Sequence, residues 1–329
     1  MEKSVASVLT EAIKKETWNR FELEDNYTLL GDFENYVYEV YKKGKSYILR
    51  LTHSSHRNHV ELLAEMNWVT HLFNSDLQVP RIYASKDGRF VETVQAEDQS
   101  YFYASLFDKV KGSPVKIDSE QFNTSLFRAW GNSIGQMHAA TKDFQLAPDL
   151  NRKTWEQDEL LFVERYIPVY EDKVIANAKD LINQIKKLPI TKENYGLIHN
   201  DVHSGNFFYD GTNIHIFDFD DSCYMWFVSD IAIPVYYTVM AKHAATDQEK
   251  RNQFAAKFLT AFMDGYKEAN QAPADWEIHL PYFLRLRDVT LYTVLHKKID
   301  KTERSDKVLE LLSELRDRIE QNQSIVEFR

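Results

Sequence analysis

The chain has 329 residues, and its 40 Lys and Arg against 50 Asp and Glu give a formal net charge of −10 at pH 7. Hydrophobic residues make up 43% of the sequence and include many aromatic side chains, so the chain can build a large core, and wholesale disorder is excluded. The negative charge argues against nucleic acid as the main partner, and the single cysteine, Cys223, excludes an intramolecular disulfide and a cysteine-cluster metal site.

The first residues of the chain predict a leading helix followed by strands. Apolar residues recur at helical spacing over residues 1–20, without the apolar run of a signal peptide. Strands are predicted at 36–41 and 46–52, around the turn sequence KKGK. No later apolar span is long enough to cross a membrane, so we expect a cytoplasmic protein with no membrane partner.

A helix and two more strands are predicted next. The helix covers residues 58–73, and Val79-Pro80 ends this part of the chain. One face of the predicted helix carries the apolar residues Leu62, Met66, Val69 and Phe73. The segments RFVETV and YFYASLF predict strands, and the charged, Gly- and Pro-containing sequence DKVKGSP predicts a connection between two lobes.

The remainder is mostly helical. FRAWGNSIGQMHAAT, EDKVIANAKDLINQIKKL and SDKVLELLSELRDRIEQN all have apolar residues at helical spacing. One β segment interrupts them at 195–221, where the pair Asp210-Gly211 predicts a hairpin turn. We therefore expect an α+β fold with a β-rich lobe at 1–106, a hinge at 107–113 and a helical lobe at 114–329.

A polar cluster is predicted at the open end of this hairpin. Asn206 leads into one strand and Asp218 follows the other, beside the loop that holds Asp201. Two carboxylates and one amide suit Mg²⁺, and a carboxylate that does not bind metal can accept the proton of a hydroxyl group during γ-phosphoryl transfer. The order His-x-Asp-x-x-x-x-Asn, with a later Asp, matches the catalytic loop of protein kinases. The alternative is a polar hairpin with incidental acids.

The stretch LIHNDVHSGNFFYDGTNIHIFDFDDS, with SDIA after it, resembles the aminoglycoside phosphotransferase and choline kinase superfamily, whose fold is protein-kinase-like and bilobal. Its His-x-Asp-x-His-x-Gly-Asn form resembles the branch of type II homoserine kinases and bacterial stress-response kinases. This resemblance implies that Asp201 is the catalytic base, that Asn206 and Asp218 bind Mg²⁺, and that Asp230 is structural. The helix WGNSIGQMHAAT resembles the helix that precedes the catalytic core in the family, with His138 at the usual place.

The resemblance makes the first lobe the nucleotide-binding one. A kinase needs a basic residue on the third strand to hold the α- and β-phosphates, and here that position is Arg50 rather than Lys. An exposed strand arginine is the alternative. Glu65 fits the family spacing for the partner of Arg50, and Glu61, one turn earlier, is the second candidate.

The phosphate-covering loop is the weakest correspondence, because LLGDFENYVYEV contains only one glycine, Gly31. Either Asn35 supplies a donor in place of the missing glycines, or the segment is merely a hairpin. By position, the adenine is expected against backbone groups of Phe107, Asp108 and Val110.

Four further residues are accessory candidates. His203 either orients Asp201 or touches phosphate, unless it is simply a hydrogen-bonded loop histidine. Asp220 binds a second cation or an amine, or else is a solvated turn acid. Arg287 and Asp288 lie where family members build the acceptor pocket, and a surface or packing role is their alternative.

The predicted function is an ATP- and Mg²⁺-dependent kinase acting on a hydroxyl group of a small molecule, such as an amino alcohol, an amino acid or an aminoglycoside. A protein Ser/Thr kinase of the stress-response type is the second hypothesis. It is disfavoured because only twelve positions separate Asp218 from Asp230 and no Ala-Pro-Glu element follows. A catalytically silent nucleotide-binding module is the third. The scarce glycines favour it, and the intact Asp201, Asn206 and Asp218 argue against it.

Overall fold

The computed structural model describes residues 3–243 and 247–327. The chain divides into two compact units. The first holds the residues up to Gly112 together with Asp143–Arg152 and His215–Asp220. The second holds Ser113–Lys142, Lys153–Ile214 and the residues from Asp221 onward.

The first unit is built on an antiparallel sheet in the order β1-β2-β3-β6-β4, with β5 also paired to β6. Its strands are β1 (Tyr27–Gly31), β2 (Tyr36–Lys42), β3 (Lys45–His53), β4 (Ile82–Tyr83), β5 (Glu92–Gln95) and β6 (Tyr101–Asp108). The predicted turn between β2 and β3 is confirmed. Lys43 and Gly44 have positive φ angles of 53° and 72°, the conformation of a two-residue hairpin turn.

Two helices, rather than the single predicted one, precede the sheet. They are α1 (Lys3–Val8) and α2 (Glu11–Phe21). The chain breaks between them because Thr10 is extended and caps α2, its hydroxyl accepting from the Ile13 N–H. Trp18 of α2 packs edge-on against Tyr38 of β2, with ring centroids 5.5 Å apart, so α2 covers the sheet and closes the core of this unit.

Helix α3 (His59–Asn74) confirms the predicted helix and begins with a capping box. Of the four apolar residues predicted on one face, Leu62, Met66 and Val69 are buried. Phe73, in the last turn of the helix, is 37% exposed, so the predicted apolar face is not buried at its C-terminal end. The helix ends at Asn74, one residue beyond the predicted end at Phe73, and Asp76 then turns the chain with φ of 63°.

The second unit is mainly helical, as predicted. Its helices are α4 (Thr124–Thr141), α5 (Asp172–Ile185), α6 (Phe227–His243), α7 (Gln248–Ala269), α8 (Trp276–Lys298) and α9 (Asp306–Gln321). Short 3₁₀ turns lie at Trp155–Gln157, Glu159–Leu161, Val163–Arg165 and Lys301–Glu303. None of the helices in the described part of the chain is long and apolar enough to cross a membrane.

Four short strands complete the fold: β7 (Tyr195–Ile198), β8 (Phe207–Tyr209), β9 (Ile214–Ile216) and β10 (Cys223–Trp226). β7 and β10 pair in antiparallel fashion. The hairpin that joins β8 to β9 turns at Asp210 and Gly211, as predicted, with Gly211 at φ of 99° and the Asp210 N–H donating to the Asn213 carbonyl. The loops before β8 and after β9 carry the residues of the predicted site.

Candidate functional site

The loop at 199–206, in the second unit, is fixed by Asp230 in the first turn of α6. One carboxylate oxygen of Asp230 accepts from the His199 N–H at 3.0 Å, and the other accepts from the Asn200 N–H at 2.8 Å. Asn200 has φ of 66°, a left-handed conformation that asparagine tolerates better than most residues. The backbone immediately before Asp201 is therefore held by two charge-assisted hydrogen bonds.

Asp230 is in turn held by a buried histidine of α4. His138 Nε2 lies 3.3 Å from the Asp230 carboxylate, and His138 Nδ1 lies 3.0 Å from the hydroxyl of Tyr266 on α7. The His138 ring stacks on Phe227, with centroids 4.3 Å apart. Burial lowers the pKa of His138, although Asp230 acts in the opposite direction. The arrangement suits a neutral imidazole that donates to Asp230 and accepts from Tyr266.

Asp201 has its carboxylate bonded within the same loop. The Asn206 side-chain amide donates from Nδ2 to both the Asp201 carboxylate and the Asp201 carbonyl, each at 2.9 Å. Burial raises the pKa of Asp201, but the hydrogen bond and charge of His203 and the charge of Arg287 outweigh it and lower the pKa below the usual value. The Asp201 side chain remains 26% exposed. It is a restrained, ionised and accessible carboxylate.

His203 takes one defined orientation. Its Nδ1 accepts from the Gly205 N–H at 3.0 Å, so the ring proton belongs on Nε2, which faces the Asp201 carboxylate at 3.4 Å. A Cβ on Gly205 would come within 2.6 Å of the His203 ring, so a larger residue there would displace the ring from this orientation. This geometry favours the hypothesis that His203 orients Asp201.

Arg287 and Asp288 have different surroundings, although they are adjacent on α8. Arg287 donates to the Tyr237 hydroxyl at 2.6 Å, and its Nε is buried with no partner among the described residues. Asp288 is 1% exposed and accepts from Arg318 at 2.6 and 3.0 Å and from Tyr236 at 2.7 Å. The packing alternative is therefore favoured for Asp288. Arg287, in contrast, has an Nε–H group that is not used in a hydrogen bond to the described residues.

In the first unit, Arg50 and Glu65 form a buried bidentate ion pair. The two guanidinium-to-carboxylate distances are 2.8 and 2.7 Å, and Arg50 is 6% exposed, so the exposed-arginine alternative is wrong. Glu61, the other candidate partner, instead completes the capping box of α3 with Asn58. Burial acts to lower the pKa of Arg50, but Glu65, Asp220 and Asp218 raise it above its usual value.

Asp218 and Asp220 follow β9. Asp218 has the left-handed φ of 64°. Asp220 is 4% exposed, and its carboxylate lies 2.6 Å from His56 Nε2 and 3.3 Å from Arg57 Nε. Burial raises the pKa of Asp220, but Arg57, His56 and Arg50 hold it well below its ordinary value. The solvated-acid alternative is therefore wrong for Asp220, which is a buried acid neutralised by basic neighbours.

The remaining predicted nucleotide residues also lie in the first unit. Gly31 ends β1, and a Cβ there would meet nothing within 4 Å. Asn35 is buried, and its amide oxygen lacks a hydrogen-bond partner in the part of the chain that is described. Phe107 lies on β6, with its ring 5.3 Å from the Arg50 guanidinium. The Asp108 N–H donates to the Arg81 carbonyl at 2.9 Å, and Val110 follows just beyond β6.

Sequence reasoning missed four residues of these clusters. His56, Arg57 and Arg152 surround Asp220, and Tyr237 lies between His203 and Arg287. The adjacent basic pair before the helix cap at Asn58 was a usable signal for the first two. Arg152 lies in no motif, and nothing in the local sequence points to it.

Comparison with known proteins gives a consistent picture. A model of the phosphotransferase enzyme family matches residues 28–282. The amicoumacin kinase of Bacillus subtilis (strain 168) is 35% identical over 322 residues, which are 98% of this chain and 94% of that protein.

Solved structures are also similar. The amicoumacin kinase hAmiN in complex with AMP-PNP, Ca²⁺ and Ami has a TM-score of 0.93 at 33% identity, covering 100% of this chain and 98% of that one. A microcompartment-associated aminopropanol kinase has a TM-score of 0.78 at 21% identity, covering 95% and 97%. At that identity the second likeness concerns the fold alone.

Proposed function

Because this chain belongs to the phosphotransferase enzyme family, we propose that it transfers the γ-phosphoryl group of ATP to a hydroxyl group of a small molecule, with Asp201 as the base. The predicted α+β, protein-kinase-like fold and the activity of a small-molecule kinase are confirmed by its relatives. The assignment of individual residues is our proposal. It depends on one observation, the ionised and accessible Asp201 carboxylate fixed by Asn206 and His203.

Asp201 suits the role of base because its neighbours keep its carboxylate ionised and hold it in one orientation. As the acceptor oxygen bonds to the γ-phosphorus and the bond from that phosphorus to the ADP oxygen breaks, the acceptor hydroxyl loses its proton. A carboxylate within hydrogen-bond reach can accept that proton. His203 and Asn206 hold the carboxylate so that its orientation does not have to be established during the reaction.

Magnesium suits the donor types of the two proposed ligands, Asn206 and Asp218. Asn206 uses its amide nitrogen for Asp201, which directs its amide oxygen elsewhere, and Asp218 supplies a carboxylate. Both are hard oxygen donors of the kind that Mg²⁺ prefers. When bound, the ion neutralises charge on the transferring phosphates. The AMP-PNP and Ca²⁺ of the hAmiN structure support the use of ATP and a divalent metal.

The first unit supplies the proposed nucleotide contacts. Arg50, braced by Glu65, has a buried Nε without a partner among the described side chains, which leaves it a donor for phosphate. We retain Asn35, which is buried and lies four residues after Gly31, as the proposed donor in place of the missing glycines. We retain backbone groups of Phe107, Asp108 and Val110 as the proposed adenine contacts. These residues belong to the proposed hinge at 107–113, which follows a nucleotide lobe at 1–106 and precedes a lobe at 114–329.

For the acceptor, we propose amicoumacin or a compound of similar chemistry. The support is the similarity to amicoumacin kinases along nearly the whole chain. Arg287, beside Tyr237, supplies a positive charge that acts on Asp201, so an acceptor with a carbonyl or anionic group near its hydroxyl fits this side of the loop. Asp288 is neutralised by Arg318 and is a poor anchor for a substrate amine.

The test is an ADP-release assay with ATP and Mg²⁺ over amicoumacin, 1-aminopropan-2-ol and spectinomycin, with mass spectrometry of the products. We expect phosphorylated amicoumacin and the highest kcat/KM for that acceptor. The Asp201→Asn variant is the blank. Two results together would favour the silent nucleotide-binding module instead. They are ADP release no higher than the blank with every acceptor, and a melting temperature that Mg·ATP still raises.

A further inference from the structure

Arg152 joins two parts of the first unit that are far apart in sequence. It is 7% exposed, and its Nη1 donates to the carbonyl of Glu61 at 3.1 Å. Its Nη2 donates to the carbonyl of Phe219 at 3.3 Å and also to the carbonyl of Asp220. One buried guanidinium therefore binds three backbone oxygens, one on α3 and two in the segment that contains Asp218.

The contact of Arg152 with α3 affects the position of Arg50. Glu61 and Glu65 lie one turn apart on α3, and Glu65 holds the Arg50 guanidinium through two short hydrogen bonds. A shift of α3 along its axis would displace Glu65 and, with it, Arg50. The hydrogen bond from Arg152 to Glu61 opposes such a shift.

The other end fixes the backbone around Asp218. Asp218 has a left-handed φ, which aspartate adopts less often than the α or β conformation, and contacts on both following residues help to maintain it. Phe219 packs edge-on against Trp68 of α3, with centroids 5.4 Å apart. Asp220 is held through its carboxylate by His56 and Arg57. Arg152 fixes the two carbonyls that follow Asp218 directly.

We propose that Arg152 is a positioning residue that couples α3 to the Asp218 segment, so that Arg50 and Asp218 are presented together to a metal–nucleotide complex. The inference rests on the proposed function, in which Asp218 is a metal ligand. Arginine suits the task because its planar fork directs donors to several carbonyls, whereas the ammonium group of lysine is a compact point charge.

The test uses Arg152→Met and Arg152→Lys, with Arg251→Met as the matched control. Arg251 also donates to a backbone carbonyl, that of Ile325 at 3.2 Å, but in the second unit. The melting temperature is measured with AMP-PNP over a series of Mg²⁺ concentrations. We expect both Arg152 variants to need ~10-fold more Mg²⁺ for half of the full shift, the usual scale for residues that orient metal ligands. Arg251→Met should leave that midpoint unchanged even if it lowers the melting temperature.

A second measurement needs neither metal nor nucleotide. Amide hydrogen exchange of residues 217–221 should be faster in the Arg152 variants than in the parent and in Arg251→Met. If Arg152→Met does not fold, Arg152→Lys, which keeps the buried charge, gives the result. An unchanged Mg²⁺ midpoint in the folded Arg152 variants overturns this inference alone. A parent protein with no Mg²⁺-dependent shift overturns the proposed function and this inference with it.

Discussion

At the scale of single residues, three aspartates show how surroundings determine chemistry. Asp201 is partly exposed and ionised, with Asn206 and His203 as neighbours. Asp220 is buried, and its carboxylate lies within hydrogen-bond distance of His56 and Arg57. Asp288 is buried against Arg318 and Tyr236. Because a base must reach a substrate hydroxyl, only the surroundings of Asp201 are compatible with that role among these three.

The assignment of Asp288 to packing predicts the behaviour of Asp288→Asn. The substitution leaves Arg318 with a buried, unmatched charge, so we expect the free energy of unfolding to fall by about 3 kcal/mol. The KM for the acceptor should stay close to that of the parent. Urea unfolding and steady-state kinetics check the two parts. A large increase in the acceptor KM with unchanged stability would restore Asp288 to the acceptor pocket.

At the scale of secondary structure elements, α4 and α7 pack with almost no space between their backbones. A Cβ on Gly131 would lie 1.8 Å from the Phe262 carbonyl oxygen, and a Cβ on Gly265 would lie 1.9 Å from that of Arg128. These helices also carry Tyr266, which contacts His138, and His138, which contacts Asp230 and so supports the Asp201 loop. The glycines therefore set the helix spacing on which the site geometry depends.

Gly131→Ala should therefore destabilise the protein even though alanine favours helix. The new methyl group would clash with backbone atoms of Phe262, which cannot rotate away, so the two helices must separate. We therefore expect a loss of about 3 kcal/mol in the free energy of unfolding. Gln136→Ala, at an exposed position of the same helix, is the control and should change stability little. Equal urea midpoints for the two variants would contradict the close packing of α4 and α7.

The helices and strands were largely predictable because each depends on local periodicity. The contact between Asp201 and Asn206 was predictable for the same reason, since the two residues lie in one short loop before the hairpin. Arg152 was not predictable, because its partners Glu61 and Asp220 are 91 and 68 positions away. The sequence left open whether Glu61 or Glu65 pairs with Arg50. The structure excludes Glu61 because its side chain completes the capping box of α3.

At the scale of the whole molecule, a half-buried histidine, His296, makes stability depend on pH. Burial, with the charges of Arg304, Arg316 and Lys301, lowers the pKa of His296 from 6.5 to about 4 against the opposing pull of Glu171. Between these values the unfolded chain binds a proton that the folded protein does not. The contribution of His296 to stability is therefore present above pH 6.5 and is lost as the pH falls towards 4.

The variant His296→Gln isolates this effect, because glutamine can still accept from Arg304 but does not titrate. We expect the melting temperature of the parent, relative to this variant, to fall as the pH is lowered from neutrality through the window below 6.5. His279→Gln, on the same helix, is the control. A difference between parent and His296→Gln that stays constant with pH would refute the assignment.

The division of roles between Asp201 and Asp218 is tested most directly by comparing Asp201→Asn with Asp218→Asn. Binding of Mg·AMP-PNP and release of ADP are measured for both variants and the parent. Asp201→Asn should bind the nucleotide as the parent does while turnover falls ~10²–10⁴-fold, the usual contribution of a general base. Asp218→Asn should lose the Mg²⁺-dependent part of binding. Turnover by Asp201→Asn at the parental rate would contradict the account.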